Sequence, residues 1–143
     1  EDLLSELRTM LGGRAAEQVV FGVKTTGASN DLERATKLAM SIVTTYGMSE
    51  ELGLLSPAAN QSQYLDSQSY FNCSEGTFAK IDAAVQKLLN QVYEDAKATL
   101  IQNRTLLDDI SECLLAKETI TGDELMAFIN ADKEQTNTQS ETE

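Results

Sequence analysis

Apolar residues recur at helical spacing along most of this chain. Between residues 3 and 20 they fall at Leu3, Leu4, Leu7, Met10, Leu11, Ala15, Val19 and Val20, close to the rhythm of a helix with one buried face. Gly12 and Gly13 lie inside that run. Each costs about 1 kcal/mol relative to Ala in a helix interior, which predicts either a break or a close backbone contact at this point. Gly22 follows the last periodic residue and reads as a C-terminal stop. A second helix is predicted from Ser29 or Asn30, with Ala35, Leu38, Ala39, Ile42, Val43 and Tyr46 on one face and an end at Gly47. Its start resembles a capping box, Asn30-x-x-Glu33.

Residues 48–72 break the pattern. Gly53, Pro57 and Asn60 interrupt any period, while Leu54-Leu55-Ser56 and Gln68-Ser69-Tyr70-Phe71 have the character of two short strands. Ser74 then caps a long helix to about Gln102 that carries Phe78, Ile81, Val85, Leu88, Val92, Ala96 and Leu100 along one face. Asn103 and Arg104 mark a break before Leu106, Leu107, Ile110, Cys113 and Leu114. Thr121-x-x-Glu124 is another capping box, opening a final helix with Leu125, Phe128 and Ile129. The fold class that follows is mainly α: a helical bundle with a small irregular or β-hairpin excursion near residues 54–71. The domain body covers residues 1–131. From Asp132 onward no apolar residue remains, so residues 132–143 read as a polar, disordered tail. The aliphatic stripes of the later helices read as an intramolecular core, since helices joined by short loops pack on one another.

Composition narrows the function. The chain has 143 residues, one domain's worth, with 11 Lys and Arg against 23 Asp and Glu and a net charge of −12. That charge repels nucleic acid and anionic membrane surfaces, so no nucleic-acid partner is expected. No apolar run approaches the ~20 residues that span a bilayer. The chain has no His, which excludes a His-based acid–base pair, a Ser–His or Cys–His nucleophile and an imidazole metal ligand from within it. Cys73 and Cys113 fit no C-x-x-C motif and read as free thiols of a reducing compartment.

Chemistry concentrates in Thr25-Thr26-Gly27-Ala28-Ser29-Asn30-Asp31-Leu32-Glu33-Arg34-Ala35-Thr36. This stretch puts Asp31 at the opening of a helix, where unpaired N–H groups and the partial positive charge of the helix end keep a carboxylate ionised and oriented. Such a group serves either as a helix cap or as one ligand of a metal whose other ligands lie elsewhere. Upstream stands Leu11-Gly12-Gly13-Arg14-Ala15-Ala16-Glu17. Downstream stand Tyr46-Gly47-Met48-Ser49 and Leu52-Gly53. Together these segments resemble the peptidase domain of the FtsH family, membrane-anchored AAA+ zinc metalloproteases, over about Leu3 to Ile129.

The resemblance implies an ATP-dependent zinc endopeptidase that degrades membrane and misfolded proteins. In that family an H-E-x-x-H helix supplies two His ligands and the general base, and an Asp from a later helix is the third ligand. That position falls on Asp31. An acidic residue at the position of Glu17 sits close to the metal in the family, where it can orient a ligating His. The other reading of Glu17 is a helix-surface ion pair with Arg14, which itself reads as structural. Glu33 and Arg34 read as a cap and a solvated face.

The H-E-x-x-H helix, the ATPase module that would bind ATP and Mg, and the membrane segment are expected upstream of Glu1. One carboxylate does not hold catalytic zinc, which takes three protein ligands and a water. The chain alone is therefore expected to be inactive and to contribute no catalytic residue, whether it is a portion of a full protease or a natural remnant. The resemblance further implies protein substrates, a homo- or hetero-hexameric ring, and a membrane-anchored parent with this domain in the cytoplasm, an organelle matrix or the stroma. The rival reading is a non-enzymatic helical scaffold or regulatory module of a ring protease.

Overall fold

The computed structural model describes residues 2–23, 25–45 and 74–140, the last nine of these by their backbone alone. All regular structure among them is helical: α1 (Asp2–Phe21), α2 (Ser29–Thr44), α3 (Glu75–Gln102), α4 (Arg104–Lys117) and α5 (Gly122–Ser140). The mainly α expectation holds. The hairpin expected near residues 54–71, the helix end at Gly47 and Cys73 lie outside the described residues. None of the described helices is long and apolar enough to cross a membrane.

The chain divides into two compact units, residues 1–98 and 99–143. In the first, α1 packs against α2. Leu7 and Leu11 of α1 join Ala35, Ala39, Ile42 and Val43 of α2 and Ile81, Ala84, Val85 and Val92 of α3 in one buried cluster. These are positions that the helical period places on inward faces. Leu88 is half-buried at the margin of the cluster rather than within it, and Phe78 is 42% exposed. The predicted face of α3 is therefore right in its middle and too generous at its beginning.

Gly12 and Gly13 produce neither of the expected features. α1 runs through them unbroken, and a Cβ built on either meets nothing within 4 Å among the described residues. The hydrogen bonds of the helix and the anchoring of Leu7, Leu11 and Ala15 on either side carry the two glycines despite their propensity cost. α1 stops where predicted. Gly22 takes the left-handed conformation, φ 68°, and its N–H donates to the Gln18 carbonyl at 3.1 Å.

The second unit holds the end of α3 together with α4 and α5, and α4 packs on α5. Asn103 separates α3 from α4, its Nδ2 donating to the Thr99 carbonyl at 2.8 Å. Cys113 is a half-buried free thiol. α4 ends at Glu118, which adopts φ 63° without being glycine and donates its N–H to the Leu114 carbonyl at 2.8 Å. The predicted box at α5 forms in full. The Thr121 N–H donates to Glu124 Oε2 at 2.8 Å, and the Glu124 N–H donates to Thr121 Oγ1 at 3.3 Å. α5 continues to Ser140, through residues that the sequence marks as a disordered tail, so over 132–140 that expectation is corrected to helix. A backbone helix satisfies its own N–H and C=O groups without needing an apolar face.

Lys117 donates to Glu124 at 2.8 Å and, with Thr121, holds the Glu124 carboxyl down to about 2 from an ordinary 4.5. A carboxyl with a lowered folded-state pKa stabilises the fold above its unfolded value, and that contribution fades as pH falls from 4.5 towards 2. A carbon-detected carboxyl titration is expected to place Glu124 near 2. In Lys117→Met the midpoint should move back towards 4.5, and an unmoved midpoint would refute the pairing.

Candidate functional site

The loop from Gly22 to Ala28 connects α1 to α2 and brings the acidic residues of interest to one end of the pair. Asp31 stands in the first turn of α2, half-buried. Among the described residues its carboxylate has no hydrogen-bond or ion-pair partner. The helix begins two residues earlier than the Asn30-x-x-Glu33 box requires: Ala28, not Asn30, occupies the N-cap and no side chain caps it. That shift corrects two expectations. Asp31 and Asn30 do not cap α2, and Glu33, displaced into the second turn, instead accepts from Lys37 Nζ at 2.6 Å. This is the i, i+4 geometry of a helix surface, and the Lys37 bond draws the Glu33 carboxyl below its usual range.

The loop before α2 is held from α1. Glu17 Oε1 accepts from Thr25 Oγ1 at 2.6 Å, and Oε2 accepts from the Thr25 N–H at 3.3 Å. Arg14 Nη1 donates to the Thr25 carbonyl. Thr25 Oγ1 in turn accepts from the Gly27 N–H at 3.2 Å, closing a local turn of the kind Thr favours. The Ser29 N–H then donates to the Thr26 carbonyl at 3.2 Å. These bonds lower the Glu17 carboxyl pKa, first through the Thr25 hydroxyl, then through the Thr25 N–H, with Arg14 adding a smaller coulombic effect.

The Arg14–Glu17 ion pair, one of the two readings of Glu17, is present, but at 3.9 Å it is the looser contact. A 2.6 Å O–H···O⁻ bond is in the short, charge-assisted class. Glu17 therefore serves first as the anchor of the loop. Sequence reading missed Thr25. The signal was Thr25-x-Gly27, a hydroxyl two residues before a glycine N–H, but nothing local says that a carboxylate eight residues upstream would complete it.

The donor set defines what this region can do. Among the described residues no three His, Cys, Asp or Glu side chains converge on a point where a cation would be held. One partner-free carboxylate at a helix start fits a contributed ligand, not a complete metal site. The region is thus a helical scaffold presenting one acidic group without a partner among the described residues.

Comparison with known proteins says which scaffold it is. Residues 1–128 match the model of Peptidase family M41. An ATP-dependent zinc metalloprotease FtsH of Clostridium perfringens is 47% identical over 129 residues, covering 90% of this chain and 18% of that protein. A protein of the same name from Thermotoga maritima is 45% identical over 136 residues, covering 93% and 22%. FtsH 4 of Synechocystis, also an ATP-dependent zinc metalloprotease by name, is 45% identical over 128 residues, covering 87% and 20%. The chain belongs to peptidase family M41, and it spans about a fifth of the length of these relatives.

Proposed function

We propose that this chain forms part of the peptidase domain of an ATP-dependent zinc metalloendopeptidase that degrades membrane and misfolded proteins, with Asp31 as the third zinc ligand. The observation that carries the reading is Asp31 itself. Within a family match that runs over residues 1–128, this carboxylate is half-buried at a helix start and unengaged among the described residues. A carboxylate at that place, beside the partial positive charge of the helix end and with no partner to give up among the described residues, is available to a cation.

Zinc, when bound, supplies Lewis acidity towards the scissile carbonyl and lowers the pKa of its water. Asp31 contributes negative charge and a fixed approach direction. Glu17 is a positioning carboxylate close by. The two imidazoles and the general base come from an H-E-x-x-H helix elsewhere in the full-length protein, and ATP and Mg bind a separate ATPase module. The same reading takes the assembly to be a homo- or hetero-hexameric ring anchored to a membrane by another segment, with this domain in a reducing compartment. The domain ends near residue 131, consistent with a family match that stops at 128, and the remainder is a polar extension.

Zinc titration calorimetry tests this reading. The chain alone is expected to bind zinc only weakly, since one carboxylate lacks two partners. A longer form of the protein that includes the H-E-x-x-H segment is expected to bind it stoichiometrically and to cleave an unfolded protein. A stoichiometric sub-micromolar site in the chain alone would contradict the shared-ligand arrangement. A longer form that neither binds zinc nor cleaves would leave a non-enzymatic scaffold as the function.

A further inference from the structure

Thr25 is gripped at every polar atom it has. Its N–H and hydroxyl both donate to Glu17, and its carbonyl accepts from Arg14. Arg14 and Glu17 lie one turn apart on α1, so a single face of that helix takes hold of one residue of the following loop. The grip is passed on. The Thr25 hydroxyl accepts from the Gly27 N–H at 3.2 Å, Gly27 adjoins the N-cap Ala28, and Asp31 follows in the first turn. Ala28 is only 6% exposed, so the N-cap residue is itself seated. A Cβ on Gly27 would come within 3.4 Å of Thr25 Oγ1 and 3.6 Å of Glu17 Oε1, which places Gly27 against both partners.

The core residues of α2, from Ala35 to Val43, fix the helix axis. They leave the choice of first helical residue to the loop, and α2 starts two residues ahead of the Asn30 box cap. We propose that Arg14, Glu17 and Thr25 form a clamp that sets where α2 begins and thereby aims the Asp31 carboxylate, making Thr25 a positioning residue for the zinc ligand. The inference rests on the assignment of Asp31 as that ligand. It assigns Glu17 to the loop, through Thr25, rather than to the free nitrogen of a ligating imidazole.

Thr25→Val keeps the shape and the backbone N–H but removes the hydroxyl that links Glu17 to Gly27, and Thr25→Ser keeps that hydroxyl. Zinc affinity of the full-length protein is measured by competition with a chromophoric chelator for these variants and for Asp31→Asn. Groups that orient a metal ligand typically change affinity by about 10–100-fold when removed. Thr25→Val is expected to weaken zinc binding by that order, Thr25→Ser to retain it, and the two to unfold at the same temperature. In this chain, amide exchange at Gly27 is expected to quicken in Thr25→Val and not in Thr25→Ser.

Zinc affinity unchanged in Thr25→Val but lost in Asp31→Asn would overturn the clamp and leave the ligand assignment standing. Equal losses in Val and Ser would also overturn it, as would Gly27 exchange that does not respond. Zinc retained in Asp31→Asn would remove the assignment on which the clamp depends.

Discussion

Replacing Asp31 by Asn in the full-length protein is expected to lower proteolysis by roughly 100-fold or more, while ATP hydrolysis and folding persist. The size follows from the role. Removing a residue that merely orients a ligand costs about 10–100-fold in affinity or activity, so removing the charge of a ligand costs at least as much. The structure sharpens why folding survives. No side chain caps α2, so Asp31→Asn breaks no cap hydrogen bond. What it loses is the attraction of a carboxylate for the helix N-terminus, about 0.3–1 kcal/mol. A variant that keeps full peptidase activity would reduce Asp31 to an acidic residue at a helix start. One that unfolds would mean the side chain supports the fold in a way its lack of partners among the described residues does not suggest.

The largest effect on stability is expected at Leu7. Its side chain is 0% exposed and sits in the cluster formed by α1, α2 and α3. Leu7→Ala removes the transfer energy of the lost methyl and methylene groups and leaves a cavity that three packed helices cannot close, at a cost of about 3–5 kcal/mol. Leu115, 84% exposed on α4, provides the contrast. Its replacement by Ala is expected to change stability by no more than about 0.5 kcal/mol. Denaturant unfolding followed by circular dichroism measures both. A loss below about 1 kcal/mol for Leu7→Ala would mean the cluster does not hold the unit together. Leu88, which the helical stripe alone nominates as central to the core, should fall between the two because it is only half-buried.

Most of the fold was legible because its signals are local. Apolar spacing places α1 to α5. Gly22, Ser74, Asn103 and the Thr121–Glu124 box mark ends that the structure places within a residue, each set by bonds between residues close in sequence. The start of α2 was legible, read at Ser29 or Asn30 and found at Ser29, but the Asn30-x-x-Glu33 box that marked it does not form, since Ala28 is the N-cap and Glu33 pairs with Lys37. The hold of Glu17 and Arg14 on Thr25, eight and eleven residues further on, was not legible, because nothing local announces a contact between helix and loop. Gly12 and Gly13 misled in the same way. Their propensity cost is local, while the burial of Leu7, Leu11 and Ala15 that carries α1 through them is not. In the site, Asp31 and Glu17 stood out as acidic residues in distinctive segments. Thr25, an exposed threonine among several, became visible only once its three polar atoms were seen to be engaged.

The central claim, that Asp31 is a zinc ligand, is tested most directly by elemental analysis of zinc per subunit in the purified full-length protein and its Asp31→Asn variant, prepared identically. The account predicts near-stoichiometric zinc in the unaltered protein and little or none in the variant, with both equally folded by circular dichroism. Equal zinc content in two equally folded proteins would contradict it.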